Sequence, residues 1–193
     1  MDNETTIAYV GLGSNLGDRA GNLLLAVRGL MESGMTVTRL SAIYETEPVG
    51  VSDHGLYLNM VAEVQTTHIT PTQMLARMIR VEYLLGRRHK FVQAPRTADL
   101  DLLFYGDVQI DTEFLKVPHK SVHKRRFVLV PLDELAPHFI HPVLNKSIDT
   151  LLKEVDDHSV VRRWDPNAEV VEAELIHSTD EPQYSARTSS SEG

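Results

Sequence analysis

The run Ala-Asp-Leu-Asp-Leu-Leu-Phe-Tyr-Gly, residues 98–106, constrains this chain most. Read as a β-strand, its side chains alternate between two faces, so Asp99 and Asp101 project from one side while Leu100 and Leu102 point into a core on the other. Two carboxylates this close repel and raise one pKa unless a cation lies between them. Hard divalent ions with oxygen ligands suit such a pair, and Mg²⁺ typically takes one or two carboxylates together with substrate phosphates. A solvated strand face explains D-x-D alone equally well. The flanking residues favour the metal, because Arg96 precedes the pair and further cations surround it.

Between 87 and 126 the cations are Arg87, Arg88, Lys90, Arg96, Lys116, Lys120, Lys124, Arg125 and Arg126, against the acids Asp99, Asp101, Asp107, Asp111 and Glu113. Arginine forks and lysine point charges are what a polyphosphate requires. His119 and His123 fall in the same segment. Carboxylate-held metal plus arginines is the usual equipment for phosphoryl or pyrophosphoryl transfer, in which positioning and charge neutralisation do most of the catalysis. This local excess of cations stands out because the chain as a whole carries a formal charge of −8. Residues 154–193 hold ten of the acids and only three bases, so the acidity belongs to the C-terminal part. The balance argues against a broad nucleic-acid or anionic-membrane surface.

With 193 residues the chain holds one domain plus a surplus. It has no cysteine, which excludes disulfides, zinc-thiolate sites and cysteine nucleophiles. Its first residues, MDNETTIAYVGLGSN, form no apolar leader, so a cytoplasmic protein is expected.

The remaining elements follow from periodicity and punctuation. Ile7–Gly11 is a short apolar strand, and Leu23, Leu24, Val27, Leu30 and Met31 then recur at helical spacing up to Gly34. Residues 35–44 read as one strand and Leu58–Thr66 as the next. Thr70 and Gln73 form a capping box with Pro71 at the first helical position; Met74, Leu75, Met78, Ile79 and Leu85 are expected to face the core before Gly86 stops the helix. Val108–Ile110 is expected to pair with 98–106 as a hairpin across Gly106-Asp107, and Phe127–Leu135 to form a helix interrupted at Pro131. The order β-α-β-β-α-β predicts a ferredoxin-like α+β fold, an antiparallel sheet with helices on one face. Residues 1–155 make the domain and 156–193 an acidic C-terminal extension. Within the extension, Ser159–Trp164 can add a strand, Glu169–Ile176 is ambiguous, and 178–193 reads as disordered.

Two weaker motifs remain. Gly11–Asp18 (GLGSNLGD) follows a strand and opens a helix, but matches neither standard phosphate loop and suits a tight turn with an N-cap equally well. Tyr57 and Asn59, two apart on a strand, share a face and offer the aromatic ring and amide that a planar heterocycle needs; an ordinary strand start explains them as readily.

Taken together, VGLGSNLGDR, IYETEPVG, YLNMV, VEYLLGR, PRTADLDLLFYG and VPHKSVHKRRFVLVPL resemble the 6-hydroxymethyl-7,8-dihydropterin pyrophosphokinase family, in that family's order from about Ala8 to Pro142. The resemblance implies the same ferredoxin-like fold and pyrophosphate transfer from ATP to the pterin hydroxymethyl group, releasing AMP, in folate biosynthesis. It implies that Asp99 and Asp101 hold two Mg²⁺ ions and that Arg87, Arg96, His119 and Arg125 contact phosphates, with Arg87, Arg96, Asp99 and Asp101 the catalytic set. Thr46, Val49, Tyr57, Asn59 and Phe127 would form the pterin site, with the ring between Tyr57 and Phe127. Glu82 and the backbone near Leu102 and Lys116 would seat the nucleoside. The expected partners are these small molecules alone, and the expected state is a monomer or weak dimer. The chain departs from many family members at Gln93-Ala94, where Trp-Gly is common, and at Ile79 and Lys120. A paralogue using a different pterin alcohol, or a nucleotide- or pterin-binding protein with little turnover, are the alternatives. An RNA-binding domain is disfavoured because the strands lack the exposed aromatic pattern.

Overall fold

The computed structural model describes residues 5–48, 55–86 and 97–167. Its centre is the pairing of β1 (Thr5–Ser14) with β4 (Tyr57–Thr67), antiparallel along their length. β5 (Asp99–Tyr105) pairs antiparallel to the other edge of β1. On the far side of β4 lie β2 (Thr36–Leu40) and β3 (Tyr44–Thr46), and β3 pairs with β8 (Val161–Arg163). The sheet therefore runs β5-β1-β4-β3-β8, with β2 also against β4.

Residues 35–44, expected as one strand, form two. β2 pairs with Ala62–Gln65 and β3 with Tyr57–Asn59. At the break the Ser41 N–H donates to Val61 O (2.9 Å), and Ser41 Oγ accepts the Val61 N–H (2.9 Å). A side chain thus replaces a main-chain carbonyl in the ladder, which period-2 reading cannot see.

The helices cover both faces of the sheet, not the one face expected. α1 (Arg19–Glu32) and α2 (Pro71–Leu84) pack on the face carrying Ala8, Val10, Leu12, Met60, Ala62, Leu100 and Leu102. α3 (Arg126–Leu135) and α4 (Ile148–Glu154) cover Tyr9, Val61, Leu103 and Phe104 on the opposite face. α3 runs unbroken through Pro131, contrary to the expected interruption. The α1 core stripe is Leu23, Ala26, Val27 and Leu30, leaving Leu24 and Met31 exposed. In α2 the buried residues are Met74, Met78, Val81 and Glu82, so Ile79, about 100° beyond Met78, faces outward. The capping box at Thr70 is formed in full, with Gln73 N–H donating to Thr70 Oγ1 and Thr70 N–H to Gln73 Oε1.

A β-bulge shifts the phase of β5 between the two cores. Tyr9 pairs with Phe104 and Val10 with Leu102, which leaves Leu103 as an extra residue in β5. Leu103 and Phe104 consequently enter the same core, and Tyr105 returns to the first. The expected hairpin after β5 does not form. Val108 N–H closes a turn on Tyr105 O (3.1 Å), but β6 (Ile110–Asp111) then pairs with β7 (Lys116–Val117) as a separate small sheet. After β7 the main chain meets the bulge again, where His119 N–H donates to Leu103 O (2.9 Å). Among the described residues no helix is long and apolar enough to cross a membrane.

Candidate active site

Alternation along β5 puts Asp99 and Asp101 on the sheet face that α3 partly covers, both half-buried. In register, Gly13 lies opposite Asp99 and Gly11 opposite Asp101. On the other side of β1, Gly13 lies opposite Asn59 and Gly11 opposite Val61. A strand of alternating glycines thus separates the carboxylates from the amide and leaves a floor without side chains. The result is a cleft of about 210 Å³ lined by Gly11, Gly13, Thr46, Tyr57, Asn59, Asp99, Asp101, Arg125 and Phe127, among others. Leu103, Val61 and Val128 line it too.

The two ends of the cleft differ. On the β3–β4 side, Asn59 Nδ2 donates to Thr46 Oγ1 (2.7 Å), a buried bond that fixes the amide plane beside Tyr57. On the β5 side stand the two carboxylates. The start of α3 contributes Arg125 and Phe127, with the guanidinium 5.6 Å from the ring centre, within cation–π range. Arg19, in the first turn of α1, donates to both Glu45 Oε1 and Leu56 O at 2.9 Å. It therefore ties together the chain on either side of Thr46 and Tyr57.

His119, held by its main-chain bond to the bulge, feels this charge pattern. Burial pushes its imidazole below the ordinary value, Asp101 and Asp99 pull it upward, and Arg125 and Lys120 push it down. The net shift is downward, which favours the neutral ring at pH 7.

Of the residues expected in the site, Thr46, Tyr57, Asn59, Asp99, Asp101, Arg125 and Phe127 share the cleft. Glu82, Leu102, Lys116 and His119 do not line it. Glu82 is buried on the opposite face, where its Oε1 accepts the Leu100 N–H (2.8 Å), Leu102 lies in the first core, and Lys116 is exposed and paired with Asp111. Arg87, Arg96 and Val49 lie outside the described residues, as do Gln93-Ala94, Glu169–Ile176 and 178–193. Gly11 and Gly13 were not among the expected site residues. Their signal was present, because a G-x-G strand that pairs in register with D-x-D leaves one face bare.

A charged end and an aromatic end within one α+β cleft define a class first: a group-transfer enzyme for an anionic donor and a flat acceptor. The family described as 7,8-dihydro-6-hydroxymethylpterin-pyrophosphokinase matches residues 9–137. A 2-amino-4-hydroxy-6-hydroxymethyldihydropteridine pyrophosphokinase of Bacillus subtilis is 45% identical over 130 residues, covering 67% of this chain and 77% of that protein. Its counterpart in Aquifex aeolicus is 39% identical over 140 residues, covering 72% and 86%. Wild-type HPPK-DHPS of Plasmodium falciparum, solved with pteroate, shares the fold at a TM-score of 0.64 and 18% identity. That likeness covers 80% of this chain and 45% of the longer one. The chain belongs to the hydroxymethyldihydropterin pyrophosphokinase family and is a diphosphotransferase.

Proposed function

We propose that this cleft binds ATP at its carboxylate end and 6-hydroxymethyl-7,8-dihydropterin at its aromatic end, and joins them in the pyrophosphoryl transfer that serves folate synthesis. The supporting observation is the convergence of Asp99, Asp101 and Arg125 with Tyr57, Asn59 and Phe127 around one cleft. In the reaction the pterin hydroxymethyl oxygen forms a bond to the β-phosphorus of ATP. The bond from that phosphorus to the α–β bridging oxygen breaks, AMP leaves, and the hydroxyl proton passes to solvent.

The oxygen-only donor set of Asp99 and Asp101, facing a glycine floor, fits Mg²⁺ that completes its shell with phosphate oxygens. Among the described residues no group of three acidic or histidine side chains gathers to cage a metal without substrate. When bound, the two ions would neutralise charge on the phosphates. Arg125 steadies phosphate oxygens at the mouth, and Arg87 and Arg96 are proposed for the same work from their motif positions. His119, neutral, donates one hydrogen bond toward the α-phosphate. Tyr57 and Phe127 hold the pterin ring between them, and Asn59, braced by Thr46, reads its edge, with Val49 beside it. The main chain near Leu102 and Lys116 is proposed to seat the nucleoside, while Glu82, buried on the opposite face, would act only from behind by accepting the Leu100 N–H of the strand that carries the carboxylates.

The sheet order, with β2 and β3 sharing one edge position, supports a ferredoxin-like βαββαβ unit elaborated by β8 and the second helical layer. We assign the pyrophosphokinase domain to residues 1–155, with 156–193 as an extension whose first part edges the sheet. A cytoplasmic monomer or weak dimer fits this reading. The test is incubation with ATP, Mg²⁺ and the pterin. AMP with pterin diphosphate is expected, and ADP or no nucleotide product overturns the reading.

A further inference from the structure

Helix α3 starts beside the cleft without a cap of its own. Its N-cap residue is Arg125, whose side chain makes no capping bond and has no acceptor to offer. The first helical N–H groups need an acceptor. One comes from outside the helix, where the Asp157 carboxylate accepts the Arg126 N–H at 2.7 Å through Oδ2. Its other oxygen accepts the Ser159 N–H at 2.9 Å. Burial raises this carboxyl, but its donors from Ser159 and Arg126 outweigh that and keep it below the usual range. A few residues on, the same segment becomes β8 and pairs along β3, with Val161 opposite Thr46. Trp164 N–H then closes on Ile43 O (2.9 Å). A single stretch, Asp157–Trp164, therefore grips both the start of α3, which carries Phe127, and the strand that carries Thr46.

We propose that Asp157–Trp164 is a positioning strap for the pterin half of the cleft, with Asp157 its positioning residue, an inference that rests on the pterin assignment above. Asp99 and Asp101 stand on β5, at the opposite edge of the sheet. The carboxylates of the nucleotide half are therefore held independently of the strap. Arg125, whose peptide with Arg126 carries the N–H that Asp157 holds, is a nucleotide contact that the strap touches, so the nucleotide half feels the strap only through it.

Without the cap, the first turn of α3 frays and the binding-competent fraction falls, so the apparent pterin dissociation constant rises by the inverse of that fraction. In full-length Asp157→Ala, titration with 6-hydroxymethyl-7,8-dihydropterin in the presence of a non-hydrolysable ATP analogue is expected to show a dissociation constant raised about tenfold, the scale of a lost N-cap. The analogue's own constant should rise less than the pterin's, because Asp99 and Asp101 stand on β5. Asp157→Asn keeps one acceptor oxygen and is expected to fall in between. Amide exchange at residues 126–128 should quicken in both variants. A purely structural role lowers the number of binding sites and leaves the constants of the folded fraction unchanged, and that result overturns the strap. Equal weakening for both ligands overturns it as well. Wild-type protein is titrated in parallel, and failure there to bind pterin strikes the pterin assignment itself, not the strap.

Discussion

Asn59 and Thr46 are joined across β4 and β3 by a 2.7 Å hydrogen bond, and Gly13 is the residue that leaves them room. A methyl group added at Gly13 would sit 3.0 Å from Asn59 Oδ1, so the amide would have to yield by a few tenths of an ångström. Gly13→Ala is expected to weaken pterin binding about fivefold, the scale of one impaired hydrogen bond at about 1 kcal/mol. The strand itself should not suffer, since alanine costs less backbone entropy than glycine. Titration with the pterin, alongside thermal melting, separates the two effects. Unchanged affinity would remove Asn59 from ring recognition.

The carboxylates at the other end predict a different kinetic pattern. Asp99→Ala and Asp101→Ala each remove a charge from a half-buried polar face, not from a packed core. Folding should survive. The rate of AMP formation is expected to fall about 10²- to 10³-fold, as when a positioned electrostatic group is lost. Rates within a few-fold of wild type would show that neither carboxylate handles the phosphates.

What could be read ahead of the structure was what is local. The Thr70–Gln73 capping box needs only residues three apart, and it forms as expected. The D-x-D face needs only alternation, and Asp99 and Asp101 share the cleft. What escaped depends on partners distant in the chain. The bulge at Leu103 is set by packing against Tyr9 and α3, and it shifts the phase of everything after it. Ile110 pairs with Val117 and not with β5. The break in the 35–44 strand depends on Ser41 meeting Val61, twenty residues away. The second helical layer was hidden because β1 and β4 alternate large apolar residues on both faces, with Tyr9 and Val61 opposing Ala8 and Met60.

Helix contact α1–α2 depends on a glycine in the opposite way from the cleft. A methyl group at Gly29 would lie 2.7 Å from Val81 Cγ1, and Val81 is a stiff, buried β-branched side chain. Alanine in a helix gains about 1 kcal/mol over glycine. Overpacking costs about 1–3 kcal/mol, so the clash wins. Gly29→Ala is expected to lower stability by about 1 kcal/mol in denaturant unfolding, with the ligand constants of the folded protein unchanged. A more stable variant would show that the two helices separate freely.

His141 predicts how the second core responds to acid. Its ring is buried edge-on to Phe104 (5.3 Å between centres), and Nδ1 accepts the N–H groups of Val143 (3.2 Å) and Leu144 (3.3 Å). Burial and nearby His123 both push its pKa down, outweighing the opposing effect of its own backbone hydrogen bond. The unfolded chain, with a pKa of about 6.5, takes up a proton that the folded ring refuses. The stabilising contribution is therefore complete above about pH 6.5 and is lost as pH falls from there toward the lower folded value, by at most about 1.4 kcal/mol per pH unit. His123, itself lowered by burial and by Lys124, adds a slope of the same sign. In His141→Asn, Oδ1 takes over as acceptor near the place of Nδ1 while the titrating group is gone. The variant should be less stable than wild type at pH 7.5 through lost packing on Phe104, yet lose less stability between pH 7.5 and 5. Denaturant unfolding of both proteins at the two pH values measures the difference in slope, and parallel slopes would show that His141 contributes nothing to acid sensitivity.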